Sequence, residues 1–185
     1  SSIEHIGYLL VGCLEASAVG GKQLAIEASR FFLIAYFVTT SGAFGVVTIM
    51  SGSTQSDHDT DQLSQYEGLF WRRPLLAAFF SAMLLSLAGI PLTVGFVGKF
   101  YIFAAGVQSG LWQLLAAVVV GSGIGLFYYL RIIFSMTKQP VSEDQIHIPL
   151  AGGCALGMVS VLLIVLGVYP TPVVEWVTSV ARALA

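Results

Sequence analysis

A chain of 185 residues that is 56% hydrophobic and 10% charged, with a mean hydropathy of +0.85, lies outside the soluble globular class, where about a quarter of residues are charged. Its formal net charge of −2 comes from acids gathered in connecting segments, and with no run of Lys and Arg to follow a phosphate backbone it excludes nucleic acid as a partner. Cys13 and Cys154 fall in apolar segments without Cys-x-x-Cys or Cys/His spacing, so no redox centre, metal site or cofactor is expected on this chain.

Five apolar segments, approximately 3–19, 31–50, 74–107, 111–134 and 148–168, predict an all-α integral membrane protein. The expected architecture is one membrane domain over 1–185, a bundle of about five transmembrane helices. The chain opens Ser1-Ser2-Ile3-Glu4-His5, with neither an initiator Met nor a basic stretch before an apolar core. It is expected to be part of a longer polypeptide and to carry no signal peptide.

The first segment carries Glu4 and His5, with Tyr8 one turn beyond Glu4 and Glu15 about three turns along on nearly the same face. His5 is a candidate proton relay, because imidazole titrates near physiological pH and exchanges through either ring nitrogen; the alternative is an interfacial side chain. Glu15 is expected at the far membrane surface, in contact with solvent. After a polar turn at Gly20-Gly21-Lys22 comes the second segment, whose Ser41, Gly42 and Gly45 allow close helix approach. The loop from Ser51 to Glu67 contains Asp57, His58, Asp59 and Asp61. It lacks the spacing of a Ca²⁺ loop and is expected to be a solvated connection. Trp71 and the pair Arg72-Arg73 before Pro74 suit a helix end anchored at the headgroups.

The third segment is too long for one straight crossing: about 33 residues would extend to about 50 Å against a hydrocarbon core of about 30 Å. Gly89 and Pro91, then Gly95 and Gly98, supply a break near 89–95. Lys99 follows in almost wholly apolar surroundings. A cation at that depth costs roughly 2.5–3.5 kcal/mol on insertion scales and normally faces a bundle interior or a hydrated path. Lysine rather than arginine matters, because a desolvated amine can give up its proton whereas a guanidinium keeps its charge. Irregular backbone beside a charge is how transporters build ion sites, so Lys99 is the first candidate site residue; the alternative is a stem that snorkels to the interface.

The fourth segment contains Gly121-x-x-x-Gly125 and the fifth Gly153-x-x-x-Gly157, both candidates for close helix contacts. Tyr128, Tyr129 and Arg131 suit an interfacial belt. Arg72, Arg73, Arg131 and Lys138 collect on one side and Lys22, Arg30 and Arg182 on the other, which favours the first side as cytoplasmic by four to three.

Three stretches carry a family resemblance: the opening Ser1-Ser2-Ile3-Glu4-His5-Ile6-Gly7-Tyr8, the run Ser41 to Val47, and above all Leu87-Ala88-Gly89-Ile90-Pro91-Leu92-Thr93-Val94-Gly95-Phe96-Val97-Gly98-Lys99-Phe100-Tyr101. They resemble the antiporter-like membrane subunits of respiratory complex I. Tyr66 to Trp71 and Gly121 to Arg131 bring the resemblance nearest to the C-terminal part of subunit N of the bacterial NADH:quinone oxidoreductase. It implies half of an inverted-repeat fold, with 74–107 as a discontinuous helix. Lys99 would match the lysine assigned to the outer half of a proton path, and His5 a polar position on the central hydrophilic axis. It further implies a proton-translocating subunit in the bacterial inner membrane, partnered by other complex I membrane subunits and the lipid bilayer, with no redox centre of its own. Glu4 departs from the family pattern, which has a small or polar residue there. Two other readings remain: a subunit of a multi-protein cation/proton antiporter, and a structural scaffold in which Lys99 merely pairs with a carboxylate.

Overall fold

The computed structural model describes residues 2–17, 22–53, 63–139 and 150–169, all but the connecting residues helical. His58, His147, Arg182 and most of the acidic loop lie outside the described residues. Among the described residues seven α-helices follow in order: α1 (Ser2–Ser17), α2 (Lys22–Ser53), α3 (Leu69–Arg72), α4 (Pro74–Ala88), α5 (Val94–Gln108), α6 (Trp112–Thr137) and α7 (Leu150–Val168), with a 3-10 turn at Leu63–Tyr66 before α3.

Helix α2 is the central rod, packing against α1, α4, α5 and α7. It is longer than the apolar segment 31–50, because Ala25 and Ala28 are fully buried and make its polar first turns part of the packing. Beyond the buried aromatic and aliphatic side chains of the interior, a second apolar population points outward: Phe37, Phe44, Trp112, Phe127, Phe134 and Met158 are each more than 60% exposed. In water such a coat would be an aggregation surface; around a bilayer-embedded bundle it is the ordinary outer face. By length and hydropathy Leu24–Ser51 and Trp112–Thr137 each suffice to cross a bilayer, while α4 and α5, at 15 residues each, fall about a quarter short of a crossing.

The small-residue positions divide. A methyl on Gly42 would meet Met83 Sδ at 2.7 Å, and one on Gly45 would meet Leu156 at 3.2 Å, so both serve close packing of α2 against α4 and α7. Gly121 meets nothing, and Gly125 is filled by the carboxyl of Glu4. The expected helix contact at 121–125 is thus corrected: the missing side chains leave room for a polar group, and the helices do not close there. The aromatic belt also splits, with Tyr128 exposed and Tyr129 buried in the main apolar cluster.

Candidate functional site

The interruption between α4 and α5 is a built feature of local hydrogen bonding. Gly89 adopts the left-handed conformation (φ 81°), which lets its N–H reach Ser86 O at 3.0 Å and the next N–H, of Ile90, reach Leu85 O at 3.0 Å. This pair of bonds satisfies carbonyls that a helix end would otherwise leave open. Thr93 then caps α5: its hydroxyl accepts from Phe96 N at 3.4 Å and donates to Ile90 O at 2.7 Å. The two half-helices are tied where Gly95 N donates to Ser86 Oγ at 3.2 Å, and a Cβ on Gly95 would overlap the Ser86 carbonyl oxygen. Leu92, outside glycine's preference, also has positive φ (75°). Such conformations persist only where surrounding bonds enforce them, at about 1–3 kcal/mol each.

Into this frame α5 places Lys99. Its side chain runs back along the helix toward the break, as helical side chains do. The ammonium lies 2.9 Å from Glu4 Oε1, 3.4 Å from Ala88 O and 3.5 Å from Ser122 Oγ, and 4.9 Å from the centre of the Tyr8 ring. Four elements therefore converge on one cation: the acid and ring of α1, the carbonyl end of α4, α5 itself and α6. The Ala88 carbonyl belongs to the last turn of α4, where the helix dipole favours positive charge. The side chains of Lys99 and Glu4 are 10% and 13% exposed, which rules out a lysine stem reaching for headgroups. The pair thus holds a cation against a carboxylate with little solvent to screen it.

His5 is buried and stacks against two rings of α2, Tyr36 at 4.6 Å and Phe32 at 5.8 Å. It shares a small cavity of about 10 Å³ with Lys99, Ser86, Thr39 and Gly95. Thr39 Oγ1 and Ser86 Oγ stand 3.3 Å apart on its wall. On the other side, Lys99, Tyr8 and Ser122 line a cleft of about 450 Å³ beside the break. A groove of about 560 Å³ runs between α1 and α6 past Glu4. The sequence candidates Lys99 and His5 are thus brought to one cavity. Glu4, which the sequence left without a role, is the direct partner of Lys99, and Ser122 and Ser86 were not singled out at all.

Glu15 requires a correction. The expectation of a solvent-facing carboxylate fails: the residue is fully buried, and neither carboxyl oxygen meets a hydrogen-bonding partner among the described residues. Its carboxyl lies against the bare backbone of Gly106, near Leu115. Glycine at 106 removes the side chain that would have turned it outward.

Known proteins share the fold that carries this geometry. Subunit N of the NADH-quinone oxidoreductase of Ectopseudomonas mendocina is 48% identical over 98% of the chain, and its counterpart in Methylococcus capsulatus is 46% identical over 98%. The chain spans 36% of the length of each of these relatives. Among solved structures, a chain of respiratory complex I from Thermus thermophilus superposes with a TM-score of 0.71 at 25% identity, covering 93% of this chain and 43% of that one. A chain of the Mrp complex from Dietzia sp. DQ12-45-1b shares the fold, with a TM-score of 0.79 at 22% identity over 94% of this chain and 39% of its own. A family model describing the membrane part of NADH:quinone oxidoreductase and Mrp antiporter subunits matches residues 1–125. With its interrupted helix and its all-helical membrane architecture, the chain belongs to the NADH:quinone oxidoreductase/Mrp antiporter transmembrane family.

Proposed function

We propose that this chain forms part of a proton path in a subunit of an NADH:quinone oxidoreductase, in which Lys99 takes up and releases the proton. The carrying observation is the buried ammonium 2.9 Å from Glu4 at the break between α4 and α5. Proton uptake or loss by such a pair needs only a change in neighbouring charge, since a shift of about 1.4 kcal/mol already changes a protonation equilibrium tenfold. The drive is electrostatic and comes from redox chemistry elsewhere in the complex, so this chain needs no redox group.

Glu4 holds the ammonium in its loaded form. His5 exchanges with Lys99 across the cavity they share, whose volume of about 10 Å³ is near the threshold for one water. The path to which Lys99 belongs opens to the outer side of a bacterial inner membrane, and further membrane subunits of the complex pack around the exposed apolar faces. Identity of 48% to a subunit N favours this assembly over a cation/proton antiporter, for which the likeness rests on fold. Co-purification of the full-length protein with quinone-reducing subunits, rather than with other antiporter subunits, separates the two.

The decisive experiment replaces Lys99 by Ala in the full-length subunit within its complex and measures proton translocation against NADH oxidation. Pumping is expected to be lost or uncoupled while the complex still assembles. Undiminished pumping at normal complex abundance refutes the path through Lys99.

A further inference from the structure

Glu15 is the one acid in the described interior that the pair of Glu4 and Lys99 does not use, and its setting is unlike that of a packing residue. Its exposure is 0% and both oxygens lack a partner among the described residues. An ionised carboxylate so placed would cost several kcal/mol uncompensated, so the arrangement described is that of a neutral acid carrying its proton. Buried polar atoms left unsatisfied in a native fold call for an explanation. The hydroxyl of Ser109, the C-cap of α5 three residues past Gly106, is also buried without a partner among the described residues.

Position supplies the explanation. Glu4 meets Lys99 and Glu15 meets Gly106, so α1 and α5 run parallel, side by side. Glu4 and Glu15 are 11 residues apart on α1 and share a face, and Lys99 and Gly106, seven apart on α5, share another. Each displacement leads away from the break and toward the turn at Ser109-Gly110, by about 10–16 Å. That turn lies on the membrane side opposite Arg72, Arg73 and Lys138, the side the basic residues mark as outer. Tyr8 stands at the start of the interval, its ring over the Lys99 ammonium and its hydroxyl donating to Val118 O at 3.3 Å. Facing α1 around Glu15 are Gly106 of α5 and Leu115 of α6, while one turn back Gly12 accommodates the hydroxyl of Ser29 from α2. None of these side chains is charged.

We infer that Glu15 is a second proton-carrying group, standing between Lys99 and the outer membrane face. Starting as the neutral acid, Glu15 releases its proton to water at the face where α5 turns into α6, and the carboxylate so formed takes up a proton as the Lys99 ammonium gives one up. This role rests on the proposed path through Lys99 and extends it by one station.

The test uses the full-length subunit in its assembled complex and four variants: Glu15→Gln, Glu15→Asp, Glu15→Leu and Lys99→Met. Removing a positioned proton donor slows the transfer it serves by on the order of 10²-fold. Glu15→Gln and Glu15→Leu are therefore expected to lower the proton-to-electron ratio with complex abundance unchanged, and Glu15→Asp to retain most of the pumping. A residue that only packs would give the opposite order, since Gln is isosteric and Leu suits an apolar site better than a shorter acid. Native pumping in Glu15→Gln together with loss in Lys99→Met overturns the role of Glu15 alone. Native pumping in Lys99→Met removes the path reading and this inference with it. Failure of all three Glu15 variants to assemble assigns the residue to packing and equally overturns it.

Discussion

Two lysine–carboxylate pairs occur among the described residues, and by distance they are nearly the same. Lys99 stands 2.9 Å from Glu4, and Lys138 stands 2.8 Å from Glu67. They differ in what surrounds them. The side chain of Lys138 is 62% exposed, whereas that of Lys99 is 10% exposed and lies under the carbonyl end of a helix and an aromatic ring. A surface pair is held in water and contributes about 0–1 kcal/mol. In a buried pair, attraction and desolvation are both large and nearly cancel, so the net contribution is small while the loss of one partner is expensive. Near-cancellation is also what a proton-transferring site needs, because a modest outside field then decides where the proton resides.

The largest expected effect follows directly. Glu4→Gln leaves the Lys99 ammonium buried without its counter-charge, and removing one partner of such a pair costs about 3–5 kcal/mol. The thermal stability and abundance of the assembled complex measure it. Adding Lys99→Met to Glu4→Gln is expected to recover most of that loss, because both charges are then gone. Additive losses in the double variant would show that the two residues act independently. The next effect tests the frame that holds the buried pair in place. Gly95→Ala puts a methyl onto the Ser86 carbonyl oxygen, and overpacking of a tight contact costs about 1–3 kcal/mol. The same substitution at Gly110, where a Cβ meets nothing, is limited to the backbone cost of its φ of 69°. Equal stability of Gly95→Ala and the native complex would contradict the tie between the half-helices.

The buried pair was half legible in the sequence, and the reason is physical. Lys99 announces itself through local information: a cation in an apolar run, next to Gly89, Pro91 and Gly95, all within a dozen residues. Its partner is 95 residues away and is brought in only by the parallel packing of α1 on α5, which no local pattern encodes. The space for that partner was also present in the sequence, at Gly121 and Gly125. Small-residue spacing is ambiguous, however, between letting two backbones approach and leaving a gap for a third group. Glu15 failed for a related reason, since helical position alone put it near a membrane surface and only Gly106 on another helix turns it inward. The all-helical membrane class followed from composition, a sum over many residues that no single tertiary contact can reverse.

Smaller effects sharpen the same contrast. Ser86→Ala removes the acceptor of the Gly95 N–H and the neighbour of Thr39, and the loss of one net hydrogen bond is worth about 0.5–1.5 kcal/mol. Thermal stability of the complex reads it, and no loss would mean that the Gly95 N–H finds another acceptor.

Lys138→Ala is expected to cost least, about 0–1 kcal/mol, because the exposed ammonium is fully solvated once released from Glu67. Screening decides whether the two pairs are different in kind. At 1 M salt the Debye length falls to about 3 Å, which screens interactions between solvent-exposed charges and leaves buried ones much less affected. Stability measured for the native complex and for Lys138→Ala should therefore converge as salt is raised, while the deficit of Glu4→Gln persists. Convergence of Glu4→Gln as well would mean that solvent reaches the Lys99 ammonium directly, and the near-cancellation that makes this pair responsive to a distant charge would be lost.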